Sequence, residues 1–278
     1  MDSTNRDKTA CMMRVRNEQR WIRRSLEQTF KVARTVVVFD DGSTDGTLGE
    51  CIGSMGLSAC PTSPIGGILV VEHEDKELHY ISSPFRNRVV REKESVNEVR
   101  DKNLLWYYVK SSIECQYVLC LDGDEVLSNR SVREFDKAWN ALRTQERISL
   151  PFVFLWGSED SMRVDGVYAS IWHARMFALA GTSPDELYGS HFDTGISGGF
   201  HCGSIPGGLR DPAATFCVAV DLPIVHYGYI DDSIRKRKFE FYNKIDPNNM
   251  GEGGYRHIIG ESNHRAPGPV RLEPYIND

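Results

Sequence analysis

Apolar and polar positions along the chain fall into blocks with two periods. "CMMRV" (11–15) is a short apolar run suited to a strand. Over 17–33, Trp21, Ile22, Leu26, Phe30 and Ala33 recur at helical spacing, and Asn17 is placed to cap that helix. "TVVVF" (35–39) is continuously apolar, as in a strand covered on both faces. The turn "DDGSTDGT" follows, with Thr44 or Asp45 capping a helix at 46–54. A Gly-, Ser- and Pro-rich loop covers 53–68, a third strand 67–73, and a charged, irregular stretch 74–95. A helix is expected over 95–112, burying Val96, Val99, Leu104, Trp106 and Tyr107. "QYVLCL" (116–121) reads as a strand running into "DGDEVL". Strand and helix thus alternate through residue 127, which predicts an α/β fold with a mostly parallel sheet flanked by helices.

The second half is less regular. A helix is expected at 131–142, a strand at 147–156, strands within 167–179 and glycine-rich loops over 181–215. "TFCVAVDLPIVHYGYI" (215–230) reads as a strand followed by a loop, and 231–245 as a helix with acidic residues at its start. One domain is expected: a frayed segment at 1–10, a ligand-binding half at 11–127, a second half at 128–262 and an extended tail at 263–278.

The composition adds limits. The chain has 278 residues, enough for a large core, with 40% hydrophobic and 26% charged residues. A net charge of −6 argues against holding nucleic acid by bulk electrostatics. No apolar run is long enough to span a bilayer, and the N-terminus lacks the pattern of a secretory signal. The seven cysteines are odd in number and contain no C-x-x-C. Free thiols in a reducing, cytoplasmic setting are expected, with peripheral contact at a membrane surface as the other placement.

In parallel α/β sheets, ligands bind beyond the carboxyl ends of the strands. Asp40 and Asp41, Asp122 and Asp124, and the Arg16–Glu18 stretch all lie at such ends. Aspartates two apart on an extended chain face the same way, and Gly123 between them permits close approach. Two hard oxygen ligands suit Mg²⁺ or Mn²⁺. The plain alternative is a strand-end turn that caps the next helix, and "DDGSTDGT" has the same plain reading. "RKRK" (235–238) reads most simply as the solvated face of a helix whose buried side is Phe239, Phe241 and Tyr242, although it would also suit a diphosphate.

Taken together, "DDGSTDGT", "DGD", "MRVRNEQRWIRRSLEQ" and "VRDKNLLW" resemble the family 2 glycosyltransferases of the GT-A fold, over about residues 11–127. Weaker similarity continues at "VHYGYIDDSIRKRKFEFYNKIDPNN". The resemblance implies a Rossmann-like sheet and transfer of a sugar from a nucleotide donor, a UDP-sugar by expectation, to a hydroxyl acceptor such as a saccharide. It implies that Asp40 contacts the uracil or ribose with Asp41 beside it, that Val15 and Glu18 border the nucleotide, and that Arg100 lies near it. Asp122 would face the ribose and metal, Asp124 would ligate Mn²⁺ or Mg²⁺, and His226 would complete the metal shell, with a structural histidine as the plain alternative for the last. Asp193, in a Gly- and His-rich loop, is the chosen catalytic base, ahead of Glu159, Asp160 and Asp185. A nucleotidyltransferase or a non-catalytic nucleotide-sugar-binding module are the competing readings, the former disfavoured by the lack of a Gly- and Lys-rich N-terminal loop.

Overall fold

A computed structural model of the chain describes residues 3–58, 67–83, 97–143, 147–179, 184–193, 202–207, 217–246 and 254–278. The first part runs α1 (Ser3–Asp7), β1 (Thr9–Val15), α2 (Ile22–Thr29), β2 (Thr35–Asp40), α3 (Thr47–Ser54), β3 (Ile68–His73), β4 (Lys76–Ser82), α4 (Glu98–Ser112) and β5 (Tyr117–Asp122). The second runs β6 (Glu125–Leu127), α5 (Asn129–Arg133), α6 (Asp136–Leu142), β7 (Arg147–Phe154), β8 (Ser161–Arg163), β9 (Trp172–Ala178), α7 (Pro184–Gly189), β10 (Val218–Ala219), β11 (Ile224–His226), α8 (Asp232–Ile245) and β12 (Leu272–Pro274).

One mixed sheet carries both halves, in the order β3-β4-β2-β1-β5-β9-β7-β11-β6, with β10 beside β7. The neighbours β4, β2, β1 and β5 are parallel, so their carboxyl ends share one rim. β2 is buried throughout and β1 everywhere but Arg14, as strands covered on both faces must be. Alternate residues face opposite layers. Cys11, Met13, Val15, Val36, Val38, Leu119 and Leu121 pack with Ile22 and Leu26 of α2 and Ile52 of α3. Met12, Val37, Phe39, Val118 and Cys120 pack with Leu105, Trp106 and Val109 of α4. This two-sided arrangement is the expected mixed, mostly parallel sheet flanked by helices.

Several boundaries differ from the sequence reading. Residues 3–10 are not frayed. Trp139 Nε1 donates to Thr9 Oγ1 (3.0 Å), Thr9 Oγ1 to the Asn5 carbonyl (2.7 Å), and Arg6 Nε to the Phe30 carbonyl (2.8 Å). The charged stretch expected to be irregular contains β4, because Leu78 and Tyr80 alternate into the core while His79 bonds Tyr108 Oη and Glu77. The first helix begins at Ile22 rather than after Asn17. Asn17 takes a left-handed conformation (φ 56°), and its side-chain oxygen accepts from the Thr44 amide (2.8 Å). Leu104 and Tyr107 of α4 face solvent. The tail is docked: β12 pairs with β8, and Asp165 Oδ1 accepts from the Arg271 amide (2.9 Å). Among the described residues no helix is long and apolar enough to cross a membrane.

Trp139 is fully buried, packs edge-on against Phe135 at 5.1 Å and holds Thr9 at the start of β1. Trp139→Ala is expected to cost about 3–5 kcal/mol of stability. A urea denaturation midpoint equal to wild type would contradict this packing.

Candidate functional site

The rim formed by β2, β1 and β5 opens into a cleft of about 1070 Å³. Its opposite wall is α8, which contributes Ser233, Ile234, Arg237, Lys238, Phe241 and Tyr242. Arg20, on the strand side, pairs with Asp231 just before α8 and ties the two walls together. Arg235 holds the same helix from beneath. It donates to the carbonyls of Tyr229 (2.6 Å) and Ile230 (3.0 Å) and stacks 4.1 Å over Trp156.

At the strand side, Arg14 is the organising cation. Its Nη2 donates to Asp41 Oδ2 (2.7 Å) and Asp101 Oδ2 (3.0 Å), and its Nε to the same Asp101 oxygen (3.1 Å). Arg100 grips the other oxygen of Asp101 at 2.8 and 2.6 Å. Asp101 is fully buried and is held between two arginines, as a buried carboxylate must be. Asp41 faces the cleft, with Arg16 Nη1 at 3.5 Å as a second cation. Burial raises its carboxyl to about 6, and Arg14 limits the rise.

The "DGD" turn forms the floor. Asp122 is in register with Arg14, and its side chain is 39% exposed, with Arg175 Nη1 3.8 Å away. Asp124 is buried. Its Oδ2 accepts from Lys238 Nζ at 2.7 Å and stands 3.7 Å from His226 Nε2. Burial works against the Asp124 carboxylate, yet Lys238 and then His226 outweigh it and hold the carboxyl well below the usual range. β6 pairs antiparallel with β11, setting His226 opposite Glu125, and the Tyr227 amide donates to the Asp124 carbonyl (2.9 Å). Glu18 packs directly on Gly123, where a Cβ would meet Glu18 Cγ at 2.8 Å and Val15 Cγ1 at 2.9 Å. Burial, and then Asp124, push the Glu18 carboxyl well up.

Of the residues singled out from sequence, Glu18, Asp41, Asp122, Asp124 and His226 meet in this cleft. Four do not line it. Asp40 points into the α2–α3 layer, where one oxygen accepts from the Ser43 amide (2.8 Å) and hydroxyl (2.6 Å) and the other from Tyr80 Oη. Val15 is a core side chain whose carbonyl receives the Asp41 amide (2.9 Å). Arg100 is absent from the lining, and its guanidinium donates to Asp101. Asp193 sits on an exposed loop, ion-paired with His191 at 2.9 Å, and the stretch 194–201 that follows lies outside the described residues. The sequence reading missed Arg14 as the hub and Lys238 as a site residue. "RKRK" is not a solvated face: Arg235 is buried and Lys238 turns into the cleft. Phe241 is 38% exposed and lines the cleft instead of the core.

The residues do not fit the expected Mn²⁺ or Mg²⁺. Among the described residues no three His, Cys, Asp or Glu side chains stand together as a ligand set. The Asp124 oxygen that faces His226 already carries the Lys238 ammonium, at hydrogen-bond distance. His226 Nδ1 is buried without a partner among the described residues, so the imidazole lacks the supporting acceptor that usually orients a metal-bound histidine.

No family model matches the chain and no curated protein is similar to it. Solved structures align with it at low identity. S. aureus TarS aligns at 15% identity and TM-score 0.33, over 54% of this chain and 21% of that one. The TarS 1–349 structure aligns at 11% identity and TM-score 0.42, over 91% of this chain and 69% of that one. Glucosyl-3-phosphoglycerate synthase from Mycobacterium tuberculosis, in complex with phosphoglyceric acid, aligns at 15% identity and TM-score 0.31, over 53% of this chain and 44% of that one. The chain therefore spans less than half the length of full TarS and of the synthase.

Two expectations follow from this geometry. A Cβ at Gly228 would run into Asp124 Oδ2, Lys238 Nζ and His226 Cε1, whereas one at Gly49 in α3 would meet nothing within 4 Å. Gly228→Ala should destabilise by about 1–3 kcal/mol, and Gly49→Ala should be neutral or stabilising by about 0.4–1 kcal/mol, both read by urea denaturation. The second concerns pH. His226 and His257 are each pushed down to about 4, first by burial. The unfolded chain protonates both near their ordinary 6.5, so between 4 and 6.5 it binds more protons than the folded one. Stability is then full above that window and falls as the pH drops through it. His173, also pushed down to about 4, adds to this loss, while Asp41, raised to about 6, Glu125, raised to about 8, and Glu18, also raised, work in the opposite direction. Between about pH 7 and about pH 5, His226→Asn should therefore lose less stability, or gain more, than wild type.

Proposed function

We propose that the protein is a glycosyltransferase that moves a sugar from a nucleoside diphosphate donor, a UDP-sugar, to a hydroxyl acceptor, with a saccharide as the acceptor class. The observation that carries this reading is the meeting of two charge sets across one cleft at the carboxyl ends of a parallel sheet. Glu18, Asp41 and Asp122 stand on the strand side, and Arg16, Arg237 and Lys238 also line the space. A cleft of about 1070 Å³ is of the size that takes a nucleotide-scale ligand. Carboxylates suit the hydroxyls of a ribose and a sugar, and cations suit a diphosphate.

In the reaction, the bond between the sugar C1 and the diphosphate oxygen breaks, and its electron pair leaves with the diphosphate. The acceptor oxygen bonds to C1 and gives up its proton to solvent. Asp41, fixed by Arg14, receives ribose or base donors in the place expected for Asp40. Asp122, the exposed carboxylate of the turn, faces the ribose and sugar. Arg237 and Lys238 meet the charge that develops on the departing diphosphate, which is where fixed charge lowers a barrier most.

The test is a screen of nucleotide sugars for turnover, reading the released nucleotide. Release of UDP from a UDP-sugar is expected, and Asp122→Asn should slow it about 10²-fold or more. Release of UMP with a sugar phosphate would favour phosphate-centred chemistry instead. Failure of every nucleotide sugar to turn over would favour a binding module.

A further inference from the structure

Asp124 and Lys238 are 114 residues apart in the chain and meet at 2.7 Å, with side chains only 7% and 22% exposed. The contact is built in rather than incidental. Lys238 rides on α8, which is pinned at its start by the Arg20–Asp231 pair and beneath by Arg235 over Trp156. Its ammonium also lies 5.2 Å from the ring centre of Tyr229, which gives the charged head a second partner. Gly228 leaves the space in which Asp124, Lys238 and His226 come together. Burial works against the Lys238 ammonium, but the Asp124 carboxylate outweighs it and holds the lysine well above its ordinary range. Arg237 lines the same cleft one residue earlier, and Arg16 lines it from the strand side.

A carboxylate at the end of a "DGD" turn is expected to hold a divalent cation, yet here a side-chain cation from the facing helix holds that position. The geometry points to Lys238 as the cleft's resident counter-cation: anchored by Asp124, it receives the diphosphate of a nucleoside diphosphate directly, so that the ligand binds without a divalent metal. Asp124 then serves as the positioning residue for the lysine. An ammonium has three donors, so one can remain on Asp124 while others turn to phosphate oxygens. This inference rests on the nucleotide-diphosphate reading given above and narrows it.

Calorimetric titration of UDP into the full chain tests it, in EDTA and in Mn²⁺, alongside titration of Mn²⁺ alone. Wild type should bind UDP in EDTA, with little gain from Mn²⁺. Lys238→Met should weaken metal-free UDP binding about 30-fold or more, and Lys238→Arg should lose only a few-fold. Because Lys238→Met leaves a buried carboxylate unpaired, Lys238→Met/Asp124→Asn serves as the second variant. It removes the uncompensated charge and should bind UDP as weakly as the single variant. Tight Mn²⁺ binding by wild type without nucleotide would overturn the inference. So would UDP binding that vanishes in EDTA, or UDP binding unchanged in both lysine-to-methionine variants. No UDP binding by wild type in either buffer would instead remove the nucleotide reading itself, and this inference with it.

Discussion

The parallel pairing of β1 with β2 on one side and β5 on the other is the constraint from which the site follows. It sets Arg14 opposite Phe39 and Asp122, and Val15 opposite Asp40. Side chains alternate between the two layers, so parity assigns each polar residue at the rim to a side. Arg14 and Asp122 belong to the α4 side, where α4 supplies the buried Asp101. Asp40 belongs to the α2–α3 side, where Ser43 and Tyr80 take both its oxygens. Neither strand can slip by one residue without moving its whole apolar set to the wrong layer, so the hydrophobic core holds the charged rim in register.

Charges placed this deep must be paired, because an uncompensated buried charge costs several kcal/mol. The cleft meets this need with two linked sets. Arg14 joins Asp41 to Asp101, with Arg100 completing Asp101. Lys238 joins α8 to Asp124. Such pairs add little net stability over apolar packing, but each fixes where one element lies relative to another. The first locks α4 to the end of β1. The second brings a helix from the far end of the chain to the turn after β5, through the antiparallel contact of β6 with β11. The second half of the chain is therefore the other wall of the site.

The sequence was most legible where a single local force decides the outcome. β1, β2 and β5 are continuous apolar runs, and the strand–helix alternation of the first half follows from them. β4 was hidden because "KELHYIS" has polar alternate positions, and only the neighbours reveal that His79 is satisfied by Tyr108 and Glu77. The short helix α2 was overread at its start, since Asn17 turns out to bond the loop after β2 instead of its own helix. "RKRK" was illegible for a different reason. Four successive helical residues point in four directions, so Arg235 inward over Trp156 and Lys238 into the cleft cannot be told from Lys236 in solvent without the partners.

Paired aspartates in a motif are equally acidic on paper and unequal in the fold, and what distinguishes them is how much of each carboxylate its surroundings leave open. In "DDGSTDGT", Asp40 is consumed by the turn it builds, so the plain Asx-turn reading holds for it, while Asp41 keeps a face toward the cleft. In "DGD", Asp122 remains 39% exposed with its nearest arginine 3.8 Å away, whereas Asp124 is closed off by an ammonium at 2.7 Å. Asp40 is thus a structural anchor behind the rim, while in "DGD" both aspartates line the cleft and one of them, Asp124, is tied to Lys238. On its strand side the cleft is lined by Asp41 and Asp122. At the "DGD" turn, the positive charge that lines it is the Lys238 ammonium that Asp124 holds in place on α8.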